Sequence, residues 1–246
     1  MTDPYADIAE LYDAELAGGS PDAAYFSRTA ASGPLLVLGC GTGRVARLLA
    51  TDRAVTGLDR SAPMLARARS LPAGPGGPPG AGIRWVEGDM RAFDLGTFGE
   101  IIAPHGAFCF LHGRADPLAC LTACARALPT GGQLVLDLPA PDPALIGVPH
   151  TPEARAWEGI VNGRAVWRTR EVFRRTFELR VDLLDRWFVE GEQVATSLLP
   201  LQLALPRELE YLCEAAGFYV EAFVGDYAGG PVRDGCDRIV VRAIRC

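Results

Sequence analysis

The sequence contains no lysine: all 24 of its basic residues are arginine. That excludes a P-loop lysine, a Schiff-base lysine for pyridoxal phosphate and a lysine general base together. Histidine is nearly as scarce. His105, His112 and His150 are the full set, and they lack H-E-x-x-H or any other ligand spacing. The seven cysteines include no C-x-x-C pair. Cys120 and Cys124 share a face of an expected helix, where buried thiols are the plain reading. Nothing here points to a metal enzyme. Long apolar runs are also missing, none approaching the ~18 residues of a membrane span. The first twenty residues hold Asp3, Asp7, Glu10, Asp13 and Glu15 but no basic residue, the reverse of a secretory or transit peptide. The expectation is a soluble, cytoplasmic chain that does not associate with membranes. A net charge of −6 argues against a broad nucleic-acid-binding face.

What is present is apolar matter in an ordered series. The chain has 246 residues, 49% of them hydrophobic, enough for one substantial core with an appended or inserted piece. Apolar stretches recur at 34–39, 54–59, 83–88, 100–104 and 132–138, and helical patterns follow at 43–50, 61–70 and 114–128. Continuous apolarity suits parallel strands covered on both faces. Ser61 is a plausible N-cap, with Pro63 in the first turn behind it. The expected fold is α/β, a Rossmann-like doubly wound sheet.

Two stretches break the series. "LPAGPGGPPGAG", residues 71–82, connects a helix to the next strand and so enters at the end opposite the ligand crevice of such a fold. It reads as functionally inert. Residues 150–205 read as an antiparallel β insert of three or four strands. Phe177, Leu179, Val181 and Leu183 alternate there, as do Leu199, Leu201, Leu203 and Leu205, and Asn162-Gly163 and Glu190-Gly191 fall at hairpin turns. Its apolar face needs a partner, for which the crevice rim and a second copy of the chain are the nearest choices. A helix at 206–216 and two strands complete the chain.

The bare backbone of "LLVLGCGTGRVARLLA", residues 35–50, suits two ligands. A dinucleotide fingerprint ends on a third small residue, and here that position holds Arg44, which disfavours a nucleotide-dependent oxidoreductase. Asp59 follows Gly39 by twenty residues, a spacing that serves the ribose of NAD or of S-adenosylmethionine equally.

Later motifs separate the two. "VLGCGTG", "GLDRSAPMLARAR", "VEGDMRAFDL" and "EIIAPHGAFCFLH" occur in this order at the ends of the first four strands. As a set over about residues 30–245 they resemble the class I S-adenosylmethionine-dependent methyltransferases. "LPTGGQLVLDLPAPDPALI", "CEAAGFYVEAFVGDYAG" and the opening "YADIAELYDAEL" resemble the small-molecule branch with glycine N-methyltransferase and the aminosugar N-methyltransferases.

The resemblance implies a seven-stranded, mostly parallel sheet and a set of cofactor residues. Gly39, Cys40 and Gly41 would form the floor under the methionine part. Asp59 would hold the ribose hydroxyls, with Arg60 beside it. Met64 and Met90 would flank the adenine, or serve as plain core, and Asp89 would accept from its amino group. Ala103 and Pro104 would lie by the ammonium. Tyr12 would close over the carboxylate end, or simply pack its helix. The family usually has an acid two positions before the first glycine, where this chain has Val37. That loss of a charge-assisted hydrogen bond, worth ~1.5–3 kcal/mol, keeps a non-catalytic S-adenosylmethionine-binding protein in view. Residues 1–149 and 206–246 would form the methyltransferase domain, with 1–32 as an N-terminal helical cap. Residues 150–205 would form an acceptor lid, a dimer contact, or both.

The acceptor is less legible. Methyl transfer mainly requires a lone pair aligned with the S–CH3 axis and water excluded, and an oxygen or a protonated amine also needs a base. His105, at the end of strand four, is the candidate base; acceptor positioning and a structural role are its other readings. His112 reads as structural. "APHG" lacks the Asp/Asn-Pro-Pro-aromatic pattern of nucleic-acid amino methyltransferases. Arg168, Arg170 and Arg174 would share a strand face, either meeting an acidic acceptor or standing in solvent. The expected reaction is methylation of a small molecule, nitrogen preferred over oxygen, by a monomer or homodimer.

Overall fold

The computed structural model describes residues 3–16, 21–51, 53–72, 82–142 and 147–246. Two helices open the described chain, α1 (Ala9–Glu15) and α2 (Pro21–Arg28). The alternating series follows: β1 (Leu35–Leu38), α3 (Arg44–Leu49), β2 (Val55–Asp59), α4 (Ala62–Ser70), β3 (Ile83–Glu87), β4 (Glu100–Ala103), α5 (Ala115–Ala127) and β5 (Gln133–Pro139). Next come β6 (His150–Val161), β7 (Arg164–Arg175), β8 (Arg180–Val189) and β9 (Glu192–Gln202), then α6 (Pro206–Ala215), β10 (Phe218–Val224) and β11 (Arg238–Arg245).

Seven strands form one sheet in the order β10-β11-β5-β4-β1-β2-β3. Strands β1 to β5 run parallel, and β11 lies antiparallel between β10 and β5. Every residue of β1 and β4 is buried, which explains why their sequences are continuously rather than alternately apolar. Ser61 caps α4 as its sequence suggests, its Oγ accepting the Met64 N–H at 3.3 Å. The order reverses beside β1, so its C-terminal end and those of its neighbours open a crevice. Residues 73–81 of the Gly/Pro loop lie outside the described residues. The described flanks, Pro72 and Gly82, follow α4 and precede β3, whose opposite end pairs with Asp59 through Glu87.

Strands β6 to β9 make a separate four-stranded antiparallel sheet. Both expected hairpin turns are present: Asn162 and Gly163 have φ of 51° and 78°, Glu190 and Gly191 of 51° and 94°. Two positive φ values in succession match the twist of the strands they join. The alternation at Phe177 and Leu179 does not mark a strand. Phe177 lies in a 3-10 turn, fully exposed, and Leu179 has φ of 48°, so β8 begins only at Arg180. Likewise β9 ends at Gln202, and Leu205 becomes the residue before α6.

One apolar patch of the insert packs against the N-terminal segment, while Thr196, Ser197, Leu198 and Pro200 of β9 reach the crevice. Val166, Trp187, Val189 and Ala195 pack against Ile8, Tyr5 and Leu11 of the N-terminal segment. The arginine row differs from the expectation. Arg168 is 4% exposed and pairs with Glu15 of α1 and with Asp185, while Arg170 pairs with Asp185. Arg168 thus belongs to an internal ionic cluster that ties α1 to the inserted sheet, and faces neither solvent nor a ligand.

Candidate active site

The C-terminal ends of β1, β2 and β4 open into one cavity of about 600 Å³. Its floor is the glycine loop. Gly39 has φ of +59°, and a Cβ there would lie 2.5 Å from the Ala107 Cβ. Gly41, at φ of +55°, faces open space. Only glycine combines that backbone with so close an approach. The loop also orients Asp59. Its Oδ2 accepts the Gly41 N–H at 2.6 Å and its Oδ1 the Ser61 N–H at 2.8 Å. Burial raises the Asp59 pKa, and these main-chain donors pull it back.

The N-terminal segment closes the cavity from above. Asp3 accepts the Ser61 hydroxyl at 2.6 Å, and Asp13 accepts the Thr42 hydroxyl and the Arg67 Nε, the latter at 2.9 Å. Tyr5 packs edge-on against Tyr12 and Phe110, with centroids 5.6 and 6.0 Å away. Burial raises the pKa of both tyrosines, so they present neutral hydroxyls. Arg44 reaches the cavity from α3, clamped by Asp22, whose Oδ1 lies 2.8 Å away.

His105 stands where β4 ends. Its φ of 52° is left-handed, uncommon outside glycine and asparagine. The Asp137 carboxylate accepts its main-chain N–H at 2.9 Å, and Gly106 N–H donates to the Asp137 carbonyl. Asp137 is fully buried and is held in turn by the Tyr227 hydroxyl at 2.7 Å and Arg238 Nη1 at 2.6 Å. The imidazole opens to the cavity but is ringed by protein. Desolvation and the Arg44 guanidinium lower its pKa, so it is neutral at pH 7.

Ten expected site residues therefore line one space: Tyr12, Gly39, Cys40, Gly41, Asp59, Arg60, Met64, Met90, Pro104 and His105. Two do not. Ala103 is fully buried behind Pro104, and the Asp89 carboxylate stands off the lining, gripped by Arg91, which also bridges to Asp116. Val37 is buried in apolar core with Leu35, Ile102 and Val135. His112 bonds the Pro200 carbonyl at 2.9 Å. Sequence reading missed Thr42, Arg44, Asp3 and Ser61 as lining groups, and Arg180, Ser197 and Pro200 from the insert. Arg44 carried a usable signal, since a long cation directly after the last glycine of a ligand loop needs a reason. The insert residues carried none. Among the described residues no cluster of three or more His, Cys, Asp or Glu is placed to hold a metal ion.

Residues 35–132 match the model of a methyltransferase domain. The fold is that of the class I methyltransferases. No curated protein matches this chain, but solved structures do. It is 28% identical to CalS10, an amino pentose methyltransferase from Micromonospora echinaspora solved with S-adenosylmethionine bound (TM-score 0.73, 96% of this chain and 97% of that one). The CcbJ methyltransferase from Streptomyces caelestis shares the fold at 23% identity (TM-score 0.80, 100% of both chains). So does the sugar N-methyltransferase KedS8 from Streptoalloteichus, at 20% identity (TM-score 0.77, 100% and 95%). The cofactor of this class, S-adenosylmethionine, fits the residues present. Asp59 is a half-buried carboxylate facing the cavity, Gly41 leaves room above the loop, and Met64 and Met90 supply apolar walls. No described helix is long and apolar enough to cross a membrane.

Proposed function

We propose that this methyltransferase transfers the methyl group of S-adenosylmethionine to a nitrogen of a small-molecule acceptor held between His105 and the inserted sheet. One observation carries the reading. Asp59 and the glycine loop, His105, and insert residues Ser197 and Pro200 all line a single cavity, so cofactor and acceptor groups face one another. The nitrogen preference draws support from CalS10, named for an amino pentose, KedS8, named for sugar N-methylation, and the glycopeptide N-methyltransferase MtfA.

S-adenosylmethionine supplies an electrophilic methyl group on a sulfonium. Asp59 accepts the ribose hydroxyls, and the Gly39–Gly41 loop lies under the methionine part. Arg44, held by Asp22, places positive charge on the cavity wall toward the carboxylate end. His105, neutral at pH 7, takes the proton from a protonated amine or, on transfer, from its methylated product. The N-terminal segment and residues 150–205 exclude water as cap and lid.

The test is turnover of methyl-labelled S-adenosylmethionine against paired amines and phenols, amino sugars included. Label appearing on amines supports the reading. Label on phenols alone would reverse the nitrogen preference, and tight cofactor binding without any transfer would favour a binding protein.

A further inference from the structure

Arg180 stands on two cavities at once. It lines the active-site cavity and also a second one of about 950 Å³, bounded by the starts of α5 and α6 and the edge of the insert. Its Nε donates to Asp182 Oδ1 at 2.8 Å, and its terminal nitrogens have no protein partner among the described residues. Arg114 and Arg207 lie on the second cavity, likewise unpaired among the described residues. The same cavity is lined by Glu178, which has Arg175 at 3.7 Å, and by Glu208. The balance is positive in a chain whose net charge is −6. Tyr211 and Leu205, 62% and 49% exposed, give the same cavity an apolar wall. On the active-site side Ser197 belongs to the cavity wall and is 2% exposed, and its buried hydroxyl has no partner among the described residues. A buried orphan hydroxyl is costly unless a ligand satisfies it.

We infer that the two cavities form one acceptor site, in which Arg180 holds an anionic group of the acceptor, phosphate or carboxylate, while the methylated end lies at His105 and Ser197. The inference rests on the proposed function and adds the chemical class of the acceptor. An arginine fork with two free nitrogens is matched to an oxyanion, and Arg207 and Arg114 extend the field beyond it. His112, on the second cavity, bonds the carbonyl of Pro200, on the first, at 2.9 Å. The register sets a scale. Ser197 pairs with Asp185 and Gln202 with Arg180, so the backbones at the two contacts lie five residues of strand apart, about 17 Å, less the arginine's own reach. An acceptor touching both is longer than a simple amine.

The test is calorimetric titration of inorganic pyrophosphate and, separately, glutarate into the full chain, with and without S-adenosylhomocysteine. At least one anion should bind saturably, and Arg180→Gln and Arg207→Gln should each weaken it about fivefold or more. Arg180→Lys should retain part of the affinity. Arg84→Gln, on β3 at the far edge of the sheet, should change nothing. Tighter pyrophosphate assigns a phosphate, tighter glutarate a carboxylate. No saturable binding of either anion, equal binding by the Arg180 and Arg207 variants, or an equal loss in the Arg84 variant overturns the inference. S-adenosylmethionine affinity in the same variants keeps the two proposals separable. It should stay level in Arg180→Gln, and its absence in the wild type would sink the proposed function while leaving the cofactor-free anion result to stand or fall alone.

Discussion

Asp137 holds His105 by its main chain. The carboxylate accepts the His105 N–H at 2.9 Å, and among the described residues no hydrogen bond joins it to the imidazole. This differs from a carboxylate that sets a histidine tautomer. Here the acid fixes a left-handed backbone, and the backbone aims the ring into the cavity. Tyr227 and Arg238 complete the buried network.

Asp137→Ala would leave three donors facing a void and should destabilise the fold by about 3–5 kcal/mol, measured by denaturant titration. Asp137→Asn should cost less, about 1.5–3 kcal/mol, and lower turnover while S-adenosylmethionine affinity holds. Cofactor affinity falling in step with turnover would instead make Asp137 part of the cofactor site.

His105→Phe tests proton transfer. Burial and Arg44 lower the His105 pKa, so the base form is complete above the lowered value and is lost as pH falls through it. The wild-type rate should therefore decline on the acid side, below the ordinary histidine range. In the variant that limb should vanish and the rate should fall roughly 10²–10⁴-fold. A preserved acid limb with a raised KM would assign His105 to acceptor packing.

Glu15→Ala should untie α1 from the insert. Arg168 is almost wholly buried and would keep only Asp185 as an ionic partner, leaving Nε without its 3.1 Å acceptor. We expect about 1–3 kcal/mol of destabilisation. Faster hydrogen exchange should follow at residues 3–16, whose Tyr5 and Tyr12 roof the cavity. Exchange that rises evenly through the whole chain would show that the cluster supports global stability alone.

Much of this arrangement was legible because it is local. Apolar runs at 34–39 and 100–104 could only be buried strands, and Asn162-Gly163 could only be a tight turn. The glycine loop and Asp59 sit on adjacent strands, so a spacing of twenty residues brings them together. What escaped depends on distant partners. Arg168 reads as a surface residue until Glu15, far away in sequence, is seen to cover it. Ser197 and Arg180 reach the site only because the insert folds back over the crevice. Leu179 continues an alternating pattern whose strand has not yet begun, since hydrophobic period says nothing about φ.

The most direct test of the central claim is calorimetric titration of S-adenosylmethionine and NADH into the wild type and Asp59→Ala. The account predicts saturable binding of S-adenosylmethionine and none of NADH. The substitution should weaken affinity by about 1.5–3 kcal/mol, or ~10- to 150-fold, in a protein that remains folded. Because burial raises the Asp59 pKa, wild-type affinity should be full at neutral pH and decline on acidification from above the ordinary aspartate range. Tight NADH binding, or S-adenosylmethionine affinity unchanged by Asp59→Ala, would contradict the account.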